Sequence, residues 1–421
     1  MKFNKLASLF LFVAALPAAL CGQNNTMTPY SRYGYGILND HATSAQRAMG
    51  GVGYAMNNGR QINVMNPASY AAIDTLTFLF DIGVDFKMLH SSENGASGSN
   101  YGGGLDYVTM QFPLGKYMGG SVGLLPYSQV GYSFGDEIVN GAASQEGSGG
   151  INELYLGVSG RLFRGFTVGA NISYLFGTEL NDTYLRPTAS STSLFERVLQ
   201  VRDYNLTFGA QYSFRPAADH DVTLGVVYSP GKSWHGKTYG MYYDLSAINS
   251  SGATKPDTIG YSSLRGNYTM PATYGVGLNY KVGTRIMAEA DFTYQPWADV
   301  KYKPLEGFDS PEFTNRWKMA LGFQYVPDVR GGYMKRVSYR AGFYYNKDYI
   351  KALGNDVQDY GVTLGLGLPA PVNRWTKTVV NVSLEYRHRQ SSPVNLLSEN
   401  YFQISVGVNF NELWFWKNKI Q

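Results

Sequence analysis

Any chemistry this chain performs must come from a sparse set of side chains. The five histidines are scattered. His388 stands between Arg387 and Arg389 with no nearby nucleophile or second metal ligand, and the His220-Asp221 pair falls where a turn is expected, so solvated turn residues are the plainer reading. Gly50, Gly51 and Gly53 lack the strand, helix and downstream acid of a dinucleotide fingerprint. No catalytic or metal-binding set emerges and no cofactor is implied; a membrane-embedded hydrolase is the residual enzymatic alternative. What remains is a periodic set of charges. Asp81, Asp85, Glu289, Asp291, Arg336, Arg340, Glu385 and Arg387 each fall on the polar face of a stretch whose other face is apolar. Arg336 and Arg340 are candidates for orienting a ligand carboxylate, because a guanidinium binds one through two hydrogen bonds. The alternative is that acids and bases inside the fold simply pair with one another.

The elements carrying these charges alternate with period 2, the signature of a two-faced strand. In the last of them Phe402, Ile404, Val406, Val408 and Phe410 share one face, and Tyr401, Gln403, Ser405, Gly407 and Asn409 the other. Leu76 to Phe86 and Phe166 to Phe176 repeat the split. About fourteen such strands are counted, spanning approximately 75–89, 104–114, 119–134, 151–163, 166–180, 198–214, 221–244, 258–281, 285–302, 313–326, 335–349, 358–369, 377–389 and 399–411. The number is even, as in bacterial barrels. Connections are short at Phe163 to Phe166, Arg215 to Asp221 and Lys281 to Arg285. Between them Gly/Ser/Asn-rich stretches at His90 to Gly103, Gly135 to Gly150, Asn181 to Arg197 and Leu245 to Asp257 read as long outer loops. A secreted sandwich also alternates, but it would leave its charged face in water, whereas a barrel turns its apolar face to lipid. The predicted fold is therefore all-β, a transmembrane antiparallel β-barrel. Trp297, Trp317, Tyr325, Trp414 and Trp416 near strand ends fit interfacial girdles.

Composition agrees. Aromatics make up 15% of the chain and charges only 16%, against about a quarter charged in soluble domains. The N-terminus reads as a secretory signal over residues 1–22: Lys2 and Lys5, an apolar run from Leu6 to Leu20, then small residues. Cys21 raises a lipoprotein reading, against which Leu20 stands, since small residues are preferred before a lipidated cysteine. Cleavage after Gly22 removes the one cysteine and with it any disulfide. It also takes the formal charge from +4 to 33 minus 31, or +2, which gives no reason to expect nucleic acid.

Residues 28–74 do not alternate. They contain Arg47-Ala48-Met49-Gly50-Gly51-Val52-Gly53-Tyr54-Ala55 and then Asn66-Pro67-Ala68-Ser69-Tyr70. Here the sequence resembles the FadL family of outer-membrane transporters for long-chain fatty acids and aromatic hydrocarbons, in which a small-residue stretch and an Asn-Pro-Ala motif lie in an N-terminal hatch. Met270-Pro271-Ala272-Thr273-Tyr274 and Ala290 to Trp297 strengthen the match, which extends over most of residues 30–411. The resemblance implies a hatch at 23–74 inside the lumen of a barrel at 75–411, with Arg47, Gly50, Gly51, Asn66, Pro67 and Ala68 as its motif, and the even strand count returns the tail at 412–421 to the periplasm. It further implies a lateral opening at a kinked third strand, where Pro126 interrupts the ladder; a tolerated bulge near the interface is the alternative, and Gly119, Gly120 and Gly123 lower the steric barrier to either. The outer loops are shorter than in the family's fatty-acid members, which leaves the ligand open. The implied function is passive uptake of a hydrophobic or amphipathic small molecule through the outer membrane, with lipid and that molecule as partners. The alternative is a non-transporting barrel that serves as an accessory subunit of an outer-membrane secretion or assembly complex, with protein partners.

Overall fold

Strands with one apolar and one charged face have few stable arrangements. If every apolar face turns outward, the polar faces must enclose one another, and the sheet closes. The computed structural model, which describes residues 27–93, 95–138, 141–188, 192–245, 257–306, 308, 310–370 and 378–414, has this form. Its wall comprises β1 (Thr77–Glu93), β2 (Ala96–Pro113), β3 (Met118–Ile138), β4 (Gly141–Phe163), β5 (Phe166–Pro187), β6 (Ser193–Ala217) and β7 (His220–Ser229, resuming as Gly236–Asp244). It continues with β8 (Asp257–Ser263, resuming as Thr273–Val282), β9 (Ile286–Gln295), β10 (Arg316–Tyr325), β11 (Ser338–Ala352), β12 (Asn355–Ala370), β13 (Thr378–Ser392) and β14 (Ser398–Leu413). Neighbours are antiparallel, and β14 pairs with β1 from Thr77↔Leu413 to Ser92↔Ser398, which closes the barrel. Fourteen strand positions were legible in the alternation, and fourteen form the wall. Val84, Phe86, Leu154, Leu156, Val158 and Ile404 are exposed on the outside, whereas Asp81, Thr109, Gln111 and Gln403 are buried inside. That is the reverse of a soluble fold and the pattern of a membrane barrel.

Several expectations change. His90 to Gly103, Gly135 to Gly150 and Asn181 to Arg197 are not loops: β1 runs to Glu93 and β2 restarts at Ala96, and β3 to β6 continue as paired hairpins. Backbone pairing carries these stretches after side-chain alternation has faded. Most of the stretch from Leu245 to Asp257 lies outside the described residues, as do the signal region, Trp416 and most of the C-terminal tail. The wall is consequently uneven, with strands of 21, 23, 22 and 25 residues in β3 to β6 and 10 each in β9 and β10. Trp297 is not a girdle residue. It is fully buried inside the barrel, while Trp414 is exposed and stacks on Phe78 at 4.3 Å. Arg336 does not face the lumen either: it ends a short exposed helix, Tyr333–Arg336, in the connection before β11, and its guanidinium lies over the Tyr333 ring. The period-2 count ran one turn too far into that connection.

Candidate functional site: the occupied lumen

The N-terminal segment threads the barrel from the long-hairpin end to the short-turn end, which is periplasmic by the rule of bacterial barrels. At the outer end the Thr28 hydroxyl donates to Glu399 at 2.7 Å and the Tyr30 hydroxyl to the Leu397 carbonyl at 2.6 Å. Tyr35 then stacks on Trp234 at 4.6 Å within a buried cluster that includes Tyr268, Trp297, Tyr349 and Ile350, and Trp297 and Tyr349 lie 4.1 Å apart. Further along, Asn66 caps a 3-10 helix, Pro67–Ala72, by accepting from the Ala68 N–H at 3.0 Å. The chain leaves that helix to enter β1.

Inward-facing wall side chains hold this segment by its backbone. Asp291 accepts from the Gly53 and Tyr54 N–H groups at 2.7 and 2.9 Å, and Glu289 accepts from Ala55 at 2.9 Å. The Gly50 N–H donates to Thr363 at 2.9 Å and the Arg47 side chain to Asp106 at 2.7 Å, while within the segment Asn66 Nδ2 donates to the Tyr54 carbonyl at 2.6 Å. Close approach is possible because the wall is bare where the segment touches it. Gly169 faces Gly209, Gly225 faces Gly277, and Gly322 faces Gly342 across neighbouring strands. A Cβ on Gly169 would stand 2.5 Å from the Pro67 carbonyl oxygen and one on Gly322 2.6 Å from that of Met49. Gly50 itself has φ +73°, a conformation that favours glycine.

Between the outer aromatic cluster and the inner part of the segment lies a layer of charge, of which sequence reading named Asp85 and Glu385 but missed Asp40, Arg316, Lys318, Asp348, Asp359 and Arg389. Asp40 bridges Arg316 at 3.0 Å and Lys318 at 2.5 Å. Burial would raise its carboxyl, but Lys318 and Arg316 outweigh that and hold it well below the ordinary value of 3.8. Arg389 sits 3.7 Å from Asp359 and 3.8 Å from Asp348, Lys87 pairs with Asp85 at 2.9 Å, and Tyr344 donates to Glu385 at 2.6 Å. Arg316 and Lys318 share one face of β10, the signal that would have found them. Two cavities adjoin this layer, of about 80 and 110 Å³. A larger one of about 700 Å³ opens above the aromatic cluster, lined by Tyr33, Phe195, Arg197 and Phe308 among others. Arg340 lines none of these three. It donates to Gln324 at 2.8 Å and Asn381 at 2.7 Å, so its fork is taken up by the wall.

The ladder between β2 and β3 is incomplete, running only from Pro113↔Gly119 to Val108↔Leu124. Gly119, Gly120 and Gly123 lie inside this paired stretch, with Gly119 directly beneath the Tyr70 carbonyl. Pro126 lies just beyond it, buried, where the register with β4 shifts. From there β3 turns inward: Leu125, Val130 and Tyr132 are buried, and Tyr127 approaches the Trp234 ring at 6.3 Å. The freed edge of β3 is taken by the N-terminal segment, since Ile37 and Leu38 pair with Gln129 and Ser128.

A fourteen-strand barrel with its N-terminal segment in the lumen and an incomplete ladder beside the third strand has a FadL-like fold. Solved structures agree on the fold. A FadL homologue of Pseudomonas aeruginosa matches with a TM-score of 0.65 at 13% identity, over 90% of this chain and 99% of that one. The toluene transporter TodX of P. putida matches at 0.63 and 15%, covering 90% and 100%, and TbuX of Ralstonia pickettii at 0.58 and 14%, covering 88% and 98%. The family model described as BamG spans residues 3–421, and the chain belongs to the BamG family. Among curated proteins none matches.

Proposed function

We propose that this protein is an accessory barrel of the outer membrane, exported by cleavage of residues 1–22 and built to support a protein complex rather than to pass solutes through its lumen. One observation carries the reading: below the outer mouth, where a cavity of about 700 Å³ opens, the interior is filled. The two inner cavities, about 80 and 110 Å³, are far below the roughly 300–1,000 Å³ of ligand pockets, and charge lines them. The buried aromatic cluster separates them from the outer mouth. Membership of the BamG family points the same way. Residues 28–74 act as a fixed hatch whose backbone bonds to Asp291, Glu289 and Thr363 keep it seated. Native mass spectrometry of the protein released in mild detergent tests this. Stoichiometric partner proteins are expected; a lone barrel with bound lipid or small molecule overturns the reading.

The second reading is passive uptake of a hydrophobic compound with lateral release. It is favoured by the break between β2 and β3 at Pro126 and by the solved neighbours, two of which are named toluene transporters. A cysteine pair joining β2 to β3 above Pro126 should then stop uptake while leaving the barrel assembled. Uptake at the unlinked rate excludes the lateral route.

A further inference from the structure

The break in the wall leaves two lips, and the chain covers only one. On the β3 side Ile37–Leu38 adds a short strand, the Asn39 N–H donates to the Tyr127 carbonyl at 3.0 Å, and Ser31 bonds both the N–H and the carbonyl of Gly131. On the β2 side, Ser97 to Gly104 pair with β1, from Ser92↔Ser97 to Asp85↔Gly104, and among the described residues with no other strand. Every second residue of this stretch therefore turns its N–H and C=O into the break.

Two features set this edge apart. Its inner half, Tyr101 to Gly104, lies at the level of the lipid-facing band, because Phe86 and Tyr101 beside it are 52% and 59% exposed on the outer face. Hydrocarbon cannot satisfy backbone polar groups. It is also unprotected. Natural edge strands carry lysine, inward charges or proline to refuse pairing, yet Ala-Ser-Gly-Ser-Asn-Tyr-Gly-Gly-Gly-Leu at 96–105 has no charge and no proline. Gly102 and Gly104, opposite the inward-facing Lys87 and Asp85, leave the lumenal side of the edge bare.

We propose that Ser97 to Gly104 is a strand-addition site that receives an extended segment of a partner membrane barrel. The occupant must be a polypeptide, since only a backbone offers donors and acceptors at the ladder's spacing, as Ile37–Leu38 does on the facing lip. Its lipid-side residues are apolar, to lie flush with Tyr101, and its lumen-side residues are large enough to cover Gly102 and Gly104. The proposal rests on the reading of the protein as a complex subunit.

The test replaces Ser97, Ser99 or Tyr101 singly with p-benzoylphenylalanine in the full chain, irradiates native membranes and maps the adducts by mass spectrometry. Heat-modifiable migration reports that each variant has folded. The expected result is one partner segment whose cross-linked residue moves two positions for each two-residue step along β2. Adducts with lipid only, or scattered over unrelated segments, overturn the proposal. Wild-type protein gives a second reading: amides of 97–104 that exchange at least tenfold more slowly in the native complex than in the isolated barrel support strand addition, and equal exchange overturns it. Stoichiometric partners by native mass spectrometry with scattered adducts refute this site while leaving the accessory role standing; absence of partners refutes the role itself.

Discussion

Replacing Asp291 with alanine should loosen the hatch without dissolving the barrel. The carboxylate accepts the Gly53 and Tyr54 N–H groups at 2.7 and 2.9 Å. Hydrogen bonds to a charged partner contribute about 1.5–3 kcal/mol each, so losing two sets a range of roughly 3–6 kcal/mol. Glu289 is the adjacent inward-facing acid of β9, and removing its like-charged neighbour returns part of that cost. The lower end, about 3 kcal/mol, is expected. At about 1.4 kcal/mol per decade this makes local opening of the hatch roughly 100-fold more frequent. Native-state hydrogen exchange reads such openings directly. Protection of Gly53 and Tyr54 should fall by about two decades, while amides of β1 and β14 stay unchanged. Asp291→Asn, which keeps an acceptor but not its charge, should fall between, because a neutral bond is worth about 0.5–1.5 kcal/mol. If both amides in a folded Asp291→Ala barrel exchange at the wild-type rate, the carboxylate does not seat the hatch and the argument for a fixed plug fails.

Deleting residues 28–60 should raise single-channel conductance in planar bilayers, and unchanged conductance would mean the segment does not block the lumen. Gly322→Val places a side chain against the Met49 carbonyl, where a Cβ has only 2.6 Å; a loss of about 1–3 kcal/mol from overpacking should show in the denaturation midpoint. Arg340→Ala breaks bonds to Gln324 and Asn381 and should cost about 1–3 kcal/mol, whereas Arg336→Ala, in an exposed connection, should stay within about 0.5 kcal/mol. Asp40 has a depressed folded value, so its contribution is present above the ordinary carboxylate value of 3.8 and disappears only as pH falls through the lower folded one. With His41, whose imidazole meets Glu153 at 3.1 Å, replaced by Asn, exchange at Asn39 should therefore be flat from pH 7 to about 5 once corrected for intrinsic rates; loosening in that window would contradict the bridge to Arg316 and Lys318.

What sequence could reveal followed from where the physics is periodic. Lipid imposes one apolar face on every strand, so Phe402 to Phe410 or Phe166 to Phe176 disclose both the strand and its orientation. Inside the barrel no such rule applies. Trp297 resembled a girdle residue because it ends a strand, and only the three-dimensional meeting with Tyr35 and Tyr349 turns it into the lumen. Arg336 and Arg340 share a parity, yet a short helix interrupts the connection before β11 and strands the first outside. The inward glycines are equally silent. Gly225 and Gly322 look like ordinary strand glycines until the hatch backbone lies across them. The hairpin extensions were hidden for the opposite reason: with both faces polar toward the hairpin tips, alternation vanishes although pairing persists.

The filled interior also constrains the transport reading. To pass a solute along the lumen, the barrel must disrupt the outer cluster, in which Tyr35, Trp234, Trp297 and Tyr349 are 0–1% exposed. Aromatic side chains bury about 150–250 Å² each, at about 25 cal/mol per Å². Exposing four of them costs on the order of 15–25 kcal/mol. A passive channel has no energy source beyond binding, and a small ligand recovers at best about 1.5 kcal/mol per heavy atom. The break between β2 and β3 demands none of this, because its polar groups are already unpaired on one lip. Under the proposed reading the part of the lumen below the aromatic cluster is reached through the wall beside Pro126, and the hydrogen-bonding character of the β2 lip favours a strand there over an apolar passenger.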